Sequence, residues 1–296
     1  MEKCIITSAS NKFFPSLINL IGSIKVNYPN HPDIYVYDLG LFYTFKKELE
    51  SIEKVHIIKM PHFCSFWRSC YTWKTYIFNN PLAKLNFYID AGSQILRPLD
   101  EIFDIIEKDN YFTVIQKVNL ETITPPEYLN LFDIDTKYYK QYVIAAGIFG
   151  FKNEPNINKI LSKLHEASIS GLCLGFSPTE QWKNKGNNKN PFIRNCMGFR
   201  HDSTLLNLVL IKYLGNFKKH EIEKYGNDHS PNEHPEQLIW NFRMNYTKLQ
   251  YLNKKYLNSK KVFISLFNLI ILKLFLKLRI IRLILKGINI NNFSSK

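Results

Sequence analysis

The sequence has no acidic residue after Glu236, and this absence accounts for most of its charge. The formal net charge is +14 at pH 7, and the segment beyond Glu236 contains twelve lysines and arginines. The first 236 residues therefore carry a net charge of only +2. A strongly basic chain often binds nucleic acid. Here the main body is nearly neutral and the basic segment is also apolar, so we expect no nucleic-acid partner.

Cysteine is scarce as well. The five cysteines form no C-x-x-C pair, and their number is odd. Such irregular use suits a reducing compartment better than a disulfide framework. The first residues also lack the long apolar region of a secretion signal. These two features predict a cytoplasmic protein.

No uncharged apolar run is long enough to cross a bilayer. The run at residues 262–272 is about half of the roughly twenty residues required. It lies within residues 260–286, which contain seven cations and no acid. On a helical projection most of these cations share an arc of about 140°, although Lys273 and Lys277 fall elsewhere. We predict that 260–286 is a basic amphipathic helix lying on the inner face of an anionic membrane. The alternative is a helix docked on the protein's own core or on a partner subunit.

The remaining sequence is rich enough in apolar residues to form a full core, because 45% of the chain is hydrophobic and 15% is aromatic. Short apolar segments alternate with amphipathic ones, which predicts an α/β fold with a mostly parallel central sheet and helices on both faces. The predicted early strands are 4–7, 33–38, 55–59 and 86–90, and the predicted early helices are 14–26, 41–52 and one beginning near Leu99.

Later segments continue the pattern. Residues 111–117 and 142–151 are predicted strands, the second with a point of close approach at Gly147. Residues 156–169 and 201–213 are predicted helices, with His165 expected on the surface of the first. A loop containing Pro125 and Pro126 separates the strands. The polar segment 178–191 is either a lid over a site or a plain insertion.

Asp90 is the leading candidate for a functional residue. It ends a strand of aromatic and β-branched residues, and the turn formed by residues 91–93 follows it. In open α/β sheets, ligands bind beyond the carboxyl ends of the strands. Gly92, beside Asp90, would allow close approach by a ligand. The alternative is that Asp90 only caps the turn.

The chain resembles glycosyltransferases of the GT-A type that act in bacterial surface-polysaccharide synthesis, near the retaining galactosyl- and glucosyltransferases related to glycogenin. The resemblance covers residues 1–250 and rests on the order and spacing of five motifs. These are CIITSAS at 4–10, YTWK at 71–74, DAGSQ at 90–94, AAGIFG at 145–150 and RHDSTLL at 200–206. The remaining residues, 251–296, form the predicted membrane-associating tail.

This resemblance implies a nucleotide-sugar transferase that extends a saccharide or lipid-linked acceptor. It implies catalytic roles for Asp90 and Asp202, the latter orienting a sugar hydroxyl or assisting attack. An ordinary helix N-cap is the alternative for Asp202. The residues implied to bind the nucleotide sugar are Thr7, Ser8, Ala9, Asn11, Trp73, Lys74, Gly92 and His201.

The acidic motif departs from the family pattern, because Asp90-Ala91-Gly92 supplies one carboxylate where Asp-x-Asp is usual. That motif holds Mn²⁺ or Mg²⁺ against the donor diphosphate. Either Asp90 binds the metal with a distant ligand such as His229, Asp228 or His234, or a cation such as Lys74 replaces it. The missing acid also leaves open a catalytically degenerate, membrane-associated scaffold protein.

Overall fold

The computed structural model describes residues 1–175, 199–226, 234–241 and Leu274. Predictions for the loop 178–191, for His229 and Asp228, and for the helix 260–286 lie outside these residues. The boundary between 1–250 and 251–296 also lies outside them and stays a prediction. Within the described residues, no helix is long and apolar enough to cross a membrane.

The chain alternates strands and helices as the sequence pattern predicted. In its first part the elements are β1 (Lys3–Ala9), α1 (Phe14–Asn27), β2 (Ile34–Asp38), α2 (Tyr43–Glu50), β3 (Val55–Lys59), α3 (Thr72–Asn79), β4 (Leu85–Ile89), β5 (Gln94–Ile95) and α4 (Asp100–Asp109). In its second part they are β6 (Tyr111–Asn119), α5 (Leu120–Ile123), α6 (Pro126–Leu131), β7 (Tyr142–Lys152), α7 (Pro155–Ile169), α8 (Asp202–Leu214), α9 (Ile222–Tyr225) and β8 (Ile239–Trp240).

Six strands form the central sheet in the order β3-β2-β1-β4-β7-β6. Strands β1 to β4 are mutually parallel, whereas β7 is antiparallel to both β4 and β6. Five strands therefore share one direction, which confirms the predicted mostly parallel sheet. β4 is buried along its whole length, as expected for a strand covered on both faces.

Two apolar cores lie on opposite faces of the sheet, which confirms the prediction of helices on both sides. One contains buried residues of α1, α2 and α4, and the other contains buried residues of α3, α7 and α8. Glu154 begins α7 by accepting a hydrogen bond from the N–H of Ile157. β5 pairs with β8, which brings Ile239 to the turn that follows Asp90.

Two local predictions were wrong. The segment around Pro125 and Pro126 is more than a loop, because Pro126 begins α6, where its missing N–H costs no hydrogen bond. His165, expected at the surface, is half-buried between Phe63 and Tyr76.

Candidate active site

Asp90 lies at the switch point of the sheet. It directly follows β4, whose neighbour β1 pairs on its other side with β2, so the chain topology reverses between β1 and β4. Open α/β sheets bind their ligands in this crevice. The Asp90 N–H donates to the carbonyl of Gly147 at 2.8 Å. A Cβ atom on Gly147 would lie 2.6 Å from Asp90 Oδ2, so β7 passes Asp90 at the predicted point of close approach.

Three charged side chains form the centre of the site. Lys74 Nζ lies 3.0 Å from Asp90 Oδ1 and 3.1 Å from Asp90 Oδ2. The same nitrogen lies 3.2 Å from Asp202 Oδ2. The side chains of Lys74 and Asp202 are only 5% and 8% exposed, whereas that of Asp90 is 42% exposed. Asp90 is therefore the member of this cluster that solvent, or a ligand, can reach.

The surroundings set the charge of the cluster. Burial alone would favour neutral Lys74, but the carboxylates of Asp202 and Asp90 outweigh it and hold the pKa of Lys74 well above its usual value. Burial raises the pKa of Asp202, and the Lys74 ammonium opposes this rise only in part. Lys74 thus keeps its positive charge, and burial shifts Asp202 toward its neutral form.

A directional chain of hydrogen bonds leads to Asp90. Burial raises the pKa of Tyr88 well above its usual value, so the phenol stays protonated. Its hydroxyl donates a hydrogen bond to Asp90 Oδ1 at 2.8 Å. Tyr88 therefore accepts from Ser8 Oγ at 3.0 Å, and Ser8 in turn accepts from Trp73 Nε1 at 3.2 Å. The chain links the end of β1 to the carboxylate that follows β4.

The sequence left open that Asp90 only caps a turn and that Asp202 is an ordinary helix N-cap, and the geometry matches neither alternative. The Asp90 carboxylate contacts Lys74 and Tyr88. The hydrogen bond that closes the following turn is donated by the N–H of Ser93 to the backbone carbonyl of Asp90. Asp202 is the first residue of α8, and the residue at the cap position is His201, which makes no capping hydrogen bond through its side chain.

The remaining predicted site residues differ in burial and in contacts. Ser8, Trp73 and Lys74 meet at Asp90 through the contacts above. Thr7 and Ala9 belong to the end of β1 and are almost fully buried, so neither residue presents a surface to a ligand in this structure. Asn11 Oδ1 accepts from the N–H of Phe42 at 2.6 Å, which joins the loop after β1 to the loop after β2.

Gly92 and His201 complete the set. Gly92 lies in the turn that follows Asp90. His201 precedes α8, and its Nδ1 lies 3.0 Å from the carbonyl of Cys173. The roles that the sequence assigns to all these residues stay predictions.

Sequence reasoning missed three residues at this site. Tyr88 could have been found, because residues two apart on a strand point to the same face and Tyr88 precedes Asp90 by two. Tyr71 is an exposed aromatic residue whose ring lies 5.1 Å from Lys74 Nζ. Arg68 is exposed, stacks on Trp67 and lies against Gly40 in the loop after β2.

The described residues do not fit a divalent metal at Asp90. Asp90 Oδ1 already accepts from Tyr88 and lies 3.0 Å from a permanent ammonium, whose charge would repel a metal ion there. Among the described ranges no group of three potential ligands of the His, Cys, Asp or Glu type comes together. His234 lies 3.9 Å from Glu236. We therefore assign no step at this site to a metal.

Comparison with solved structures finds proteins of similar architecture. The apo glycosyltransferase GlyE of Streptococcus pneumoniae TIGR4 gives a TM-score of 0.50 at 11% identity over 88% of this chain. The galactosyltransferase LgtC, in complex with donor and acceptor sugar analogues, gives 0.49 at 10% identity over 83% of this chain and 93% of its own. The bifunctional WbbM glycosyltransferase gives 0.48 at 15% identity over 76% of this chain.

The match spans less than two thirds of two of these proteins, 62% of GlyE and 39% of WbbM. No protein-family model matches the sequence, and no curated protein matches it. At these identities the comparison concerns architecture alone. All three similar structures are glycosyltransferases, and the likeness to GlyE shows that this chain has the GT-A glycosyltransferase fold that its motifs resemble.

Proposed function

We propose that this protein transfers a sugar from a nucleotide-diphosphate donor to a saccharide or lipid-linked acceptor in the synthesis of a cell-surface polysaccharide. The observation that carries the proposal is the cluster of Asp90, Lys74 and Asp202 at the switch point of a GT-A fold. Burying charged groups such as Lys74 and Asp202 carries an electrostatic cost that apolar residues of similar size would avoid. Charged clusters of this kind are therefore candidates for functional sites.

The donor fits the carboxyl ends of β1, β2 and β4. Ser8 and Asn11 lie in the first of these ends, where the resemblance places the nucleoside. The exposed Asp90 carboxylate can accept hydrogen bonds from hydroxyl groups of the ribose or of the donor sugar. Arg68 presents an exposed guanidinium beside the loop after β2, and a guanidinium forms paired hydrogen bonds to phosphate oxygens.

Lys74 and Asp202 hold Asp90 in place. Because Lys74 Nζ contacts both oxygens of Asp90, it fixes the carboxylate plane toward the cleft. Asp202 acts through Lys74 and is therefore a positioning residue in this arrangement. In the transfer, the bond between the anomeric carbon and the diphosphate oxygen breaks and the bond to the acceptor oxygen forms. The proton of the acceptor hydroxyl passes to the departing diphosphate, which balances the step.

Association with the inner face of the membrane is a further part of the proposal and depends on the segment 260–286. An enzyme held on a membrane meets a lipid-linked acceptor at a higher effective concentration. The second candidate is a scaffold protein without turnover. It is favoured by one specific observation, namely that Lys74 and Tyr88 surround the single carboxylate where the family usually has two acids.

Donor binding by Asp90 is the direct test. Thermal unfolding is measured with a panel of uridine, guanosine and cytidine diphosphate sugars, each in EDTA and again in Mn²⁺. We expect one donor to stabilise the wild type, by about 2.7 kcal/mol at a hundredfold excess over Kd. We expect the same stabilisation in EDTA, because the described residues do not fit a metal. Asp90→Asn should lose most of it, whereas the control Asp104→Asn, an exposed position on α4, should keep it.

The proposal fails if no donor stabilises the wild type, or if Asp90→Asn responds as the wild type does. Turnover separates the two candidates. Release of free nucleotide diphosphate from the stabilising donor supports the transferase, and donor binding without release supports the scaffold. Binding that requires Mn²⁺ would overturn the assignment of a metal-free site at Asp90.

A further inference from the structure

Two aromatic rings, Tyr71 and His201, stand at the mouth of the site. The resemblance implies a nucleotide-sugar contact for His201 and none for Tyr71, and neither ring is used in the donor binding proposed above. Tyr71 is 46% exposed, and Lys74 Nζ lies 5.1 Å from its ring centroid. The rings of Tyr71 and His201 are 6.3 Å apart and are inclined at 45°. The charges of Asp202 and Asp90 both raise the pKa of Tyr71, after the larger effect of burial, so this ring lies within reach of the charged cluster.

The backbone that presents these rings is strained. Cys70, Tyr71 and His201 have φ values of +52°, +60° and +46°, a region that residues other than glycine rarely adopt. Such a conformation is unfavourable for these residues and persists only where the surrounding structure enforces it. The strain at Tyr71 places a large aromatic side chain, rather than a glycine, beside Lys74.

Cys173 connects the two strained turns. Its thiol donates to the carbonyl of Cys70 at 2.8 Å, and burial raises the pKa of this thiol, so it keeps its proton. Its own carbonyl lies 3.0 Å from Nδ1 of His201. Because a carbonyl oxygen can only accept, Nδ1 of His201 carries the hydrogen. In the tautomer with the hydrogen on Nδ1, the lone pair is on Nε2, which can accept a hydrogen bond.

We propose that Tyr71 and His201 form the acceptor subsite, in which the apolar C–H face of a pyranose ring packs on Tyr71 and one sugar hydroxyl donates to Nε2 of His201. An exposed aromatic face with one fixed acceptor beside it matches a sugar ring, which has an apolar face edged by hydroxyl groups.

The subsite lies on the α8 side of Lys74. Trp73, whose ring is 5.3 Å from that of Tyr71 and whose Nε1 contacts Ser8, separates it from the nucleoside side. A nucleobase stacked on Tyr71 is the competing occupant. The inference rests on the proposed function, since it assigns the second substrate of the same site.

The test measures saccharide and nucleotide binding separately on the full chain. Saturation-transfer NMR uses methyl glycosides of glucose, galactose and N-acetylglucosamine as probes, with uridine, guanosine and cytidine diphosphates present. Calorimetry follows the binding of the same three nucleotides. We expect Tyr71→Leu to weaken saccharide binding at least about fivefold, the loss of one aromatic contact, and Tyr71→Phe to bind as the wild type does. Nucleotide affinity should stay within about twofold in both variants, because neither changes the nucleoside side.

His201→Asn tests the second contact with the fold preserved. An asparagine amide can donate to the Cys173 carbonyl as Nδ1 does, and asparagine tolerates positive φ better than most residues, but it has no counterpart of Nε2. We expect weaker saccharide binding, unchanged nucleotide binding and an unfolding temperature close to that of the wild type.

The possible results are distinct. If the wild type binds a nucleotide but no saccharide, or if Tyr71→Leu binds the saccharide as the wild type does, the acceptor subsite is wrong while the donor site stands. If Tyr71→Leu loses nucleotide binding instead, the ring stacks on the base and the inference is overturned. If no nucleotide binds to the wild type, the proposed function fails and the acceptor subsite fails with it.

Discussion

At the scale of single residues, the arrangement of the charged cluster depends on the ammonium group of Lys74. Lys74 is almost fully buried and contacts both Asp90 and Asp202, so the two carboxylates share one positive charge. Removing one partner of a buried ion pair usually costs far more than the pair itself contributes, because the remaining charge is left without compensation.

A double-mutant cycle on Lys74 and Asp202 measures this dependence. We expect Lys74→Met to lower the free energy of unfolding by about 3–5 kcal/mol, because buried Asp202 then has no cation. Asp202→Asn should cost only about 1 kcal/mol, since burial already raises the pKa of this carboxyl toward its neutral form. The cost of Lys74→Met should be smaller by at least about 1 kcal/mol in the Asp202→Asn background. Urea unfolding of the four proteins gives these values, and additive effects would show that the two charges do not interact.

The residue scale also shows what a sequence can and cannot reveal about the site. The position of Asp90 at a strand end was predictable from the apolar run before it and the turn after it. The bridge that Lys74 forms between Asp90 and Asp202 was not predictable, because α3 and α8 come together only by packing on one face of the sheet. Alternation along β4 would have identified Tyr88 as a neighbour of Asp90.

At the scale of elements, β7 decides how close a side chain can come to Asp90. It is antiparallel to β4, and its glycine at position 147 lies directly against the carboxylate. The sequence predicted a strand with close approach at this glycine, and the structure confirms it. It could not predict the strand's direction, which follows from the long connection through α4, β6 and α6.

Gly147→Ala tests the contact between β7 and the site. The added methyl group would lie 2.6 Å from Asp90 Oδ2, so either the strand or the carboxylate must move. We expect a loss of about 1–3 kcal/mol in unfolding free energy and weaker donor binding. In an Asp90→Ala background the same substitution should cost clearly less, because the clashing oxygen is gone. Equal costs in the two backgrounds, measured by urea unfolding, would place the strain elsewhere in β7.

At the scale of the whole molecule, three histidines among the described residues lie in positions that disfavour their charged form. Burial is the largest cause of the lowered pKa of His31, His165 and His220. For each, the unfolded chain binds a proton at a higher pH than the folded chain does. Their contribution to stability is therefore complete above about pH 6.5 and is lost as the pH falls toward the lower folded pKa values.

We expect the free energy of unfolding to fall when the pH is lowered from 7.5 to 6.0. Urea unfolding at several pH values measures the slope. His165→Gln should reduce that slope, because glutamine replaces one of the groups that take up a proton on unfolding. Asn156→Gln, an exposed and non-titrating position on the same helix, is the matched control and should keep the wild-type slope. A slope unchanged by His165→Gln would contradict the assignment for that residue.

The sequence by itself determined the alternation of the main strands and helices, the two-sided burial of the sheet and the placement of Asp90 at a strand end, because these follow from local periodicity and turn chemistry. It also predicted close approach at Gly147, because glycine has no side chain and so leaves room for a neighbouring group. It did not predict α3, the helix that carries Lys74.

Only the tertiary structure decided that β7 runs against its neighbours, that Lys74 joins two distant carboxylates, and that Tyr71 and His201 face each other across the mouth of the site. These features depend on contacts between residues far apart in the chain. The physical reason is that local patterns specify which face of an element is buried, whereas packing alone specifies what that face meets.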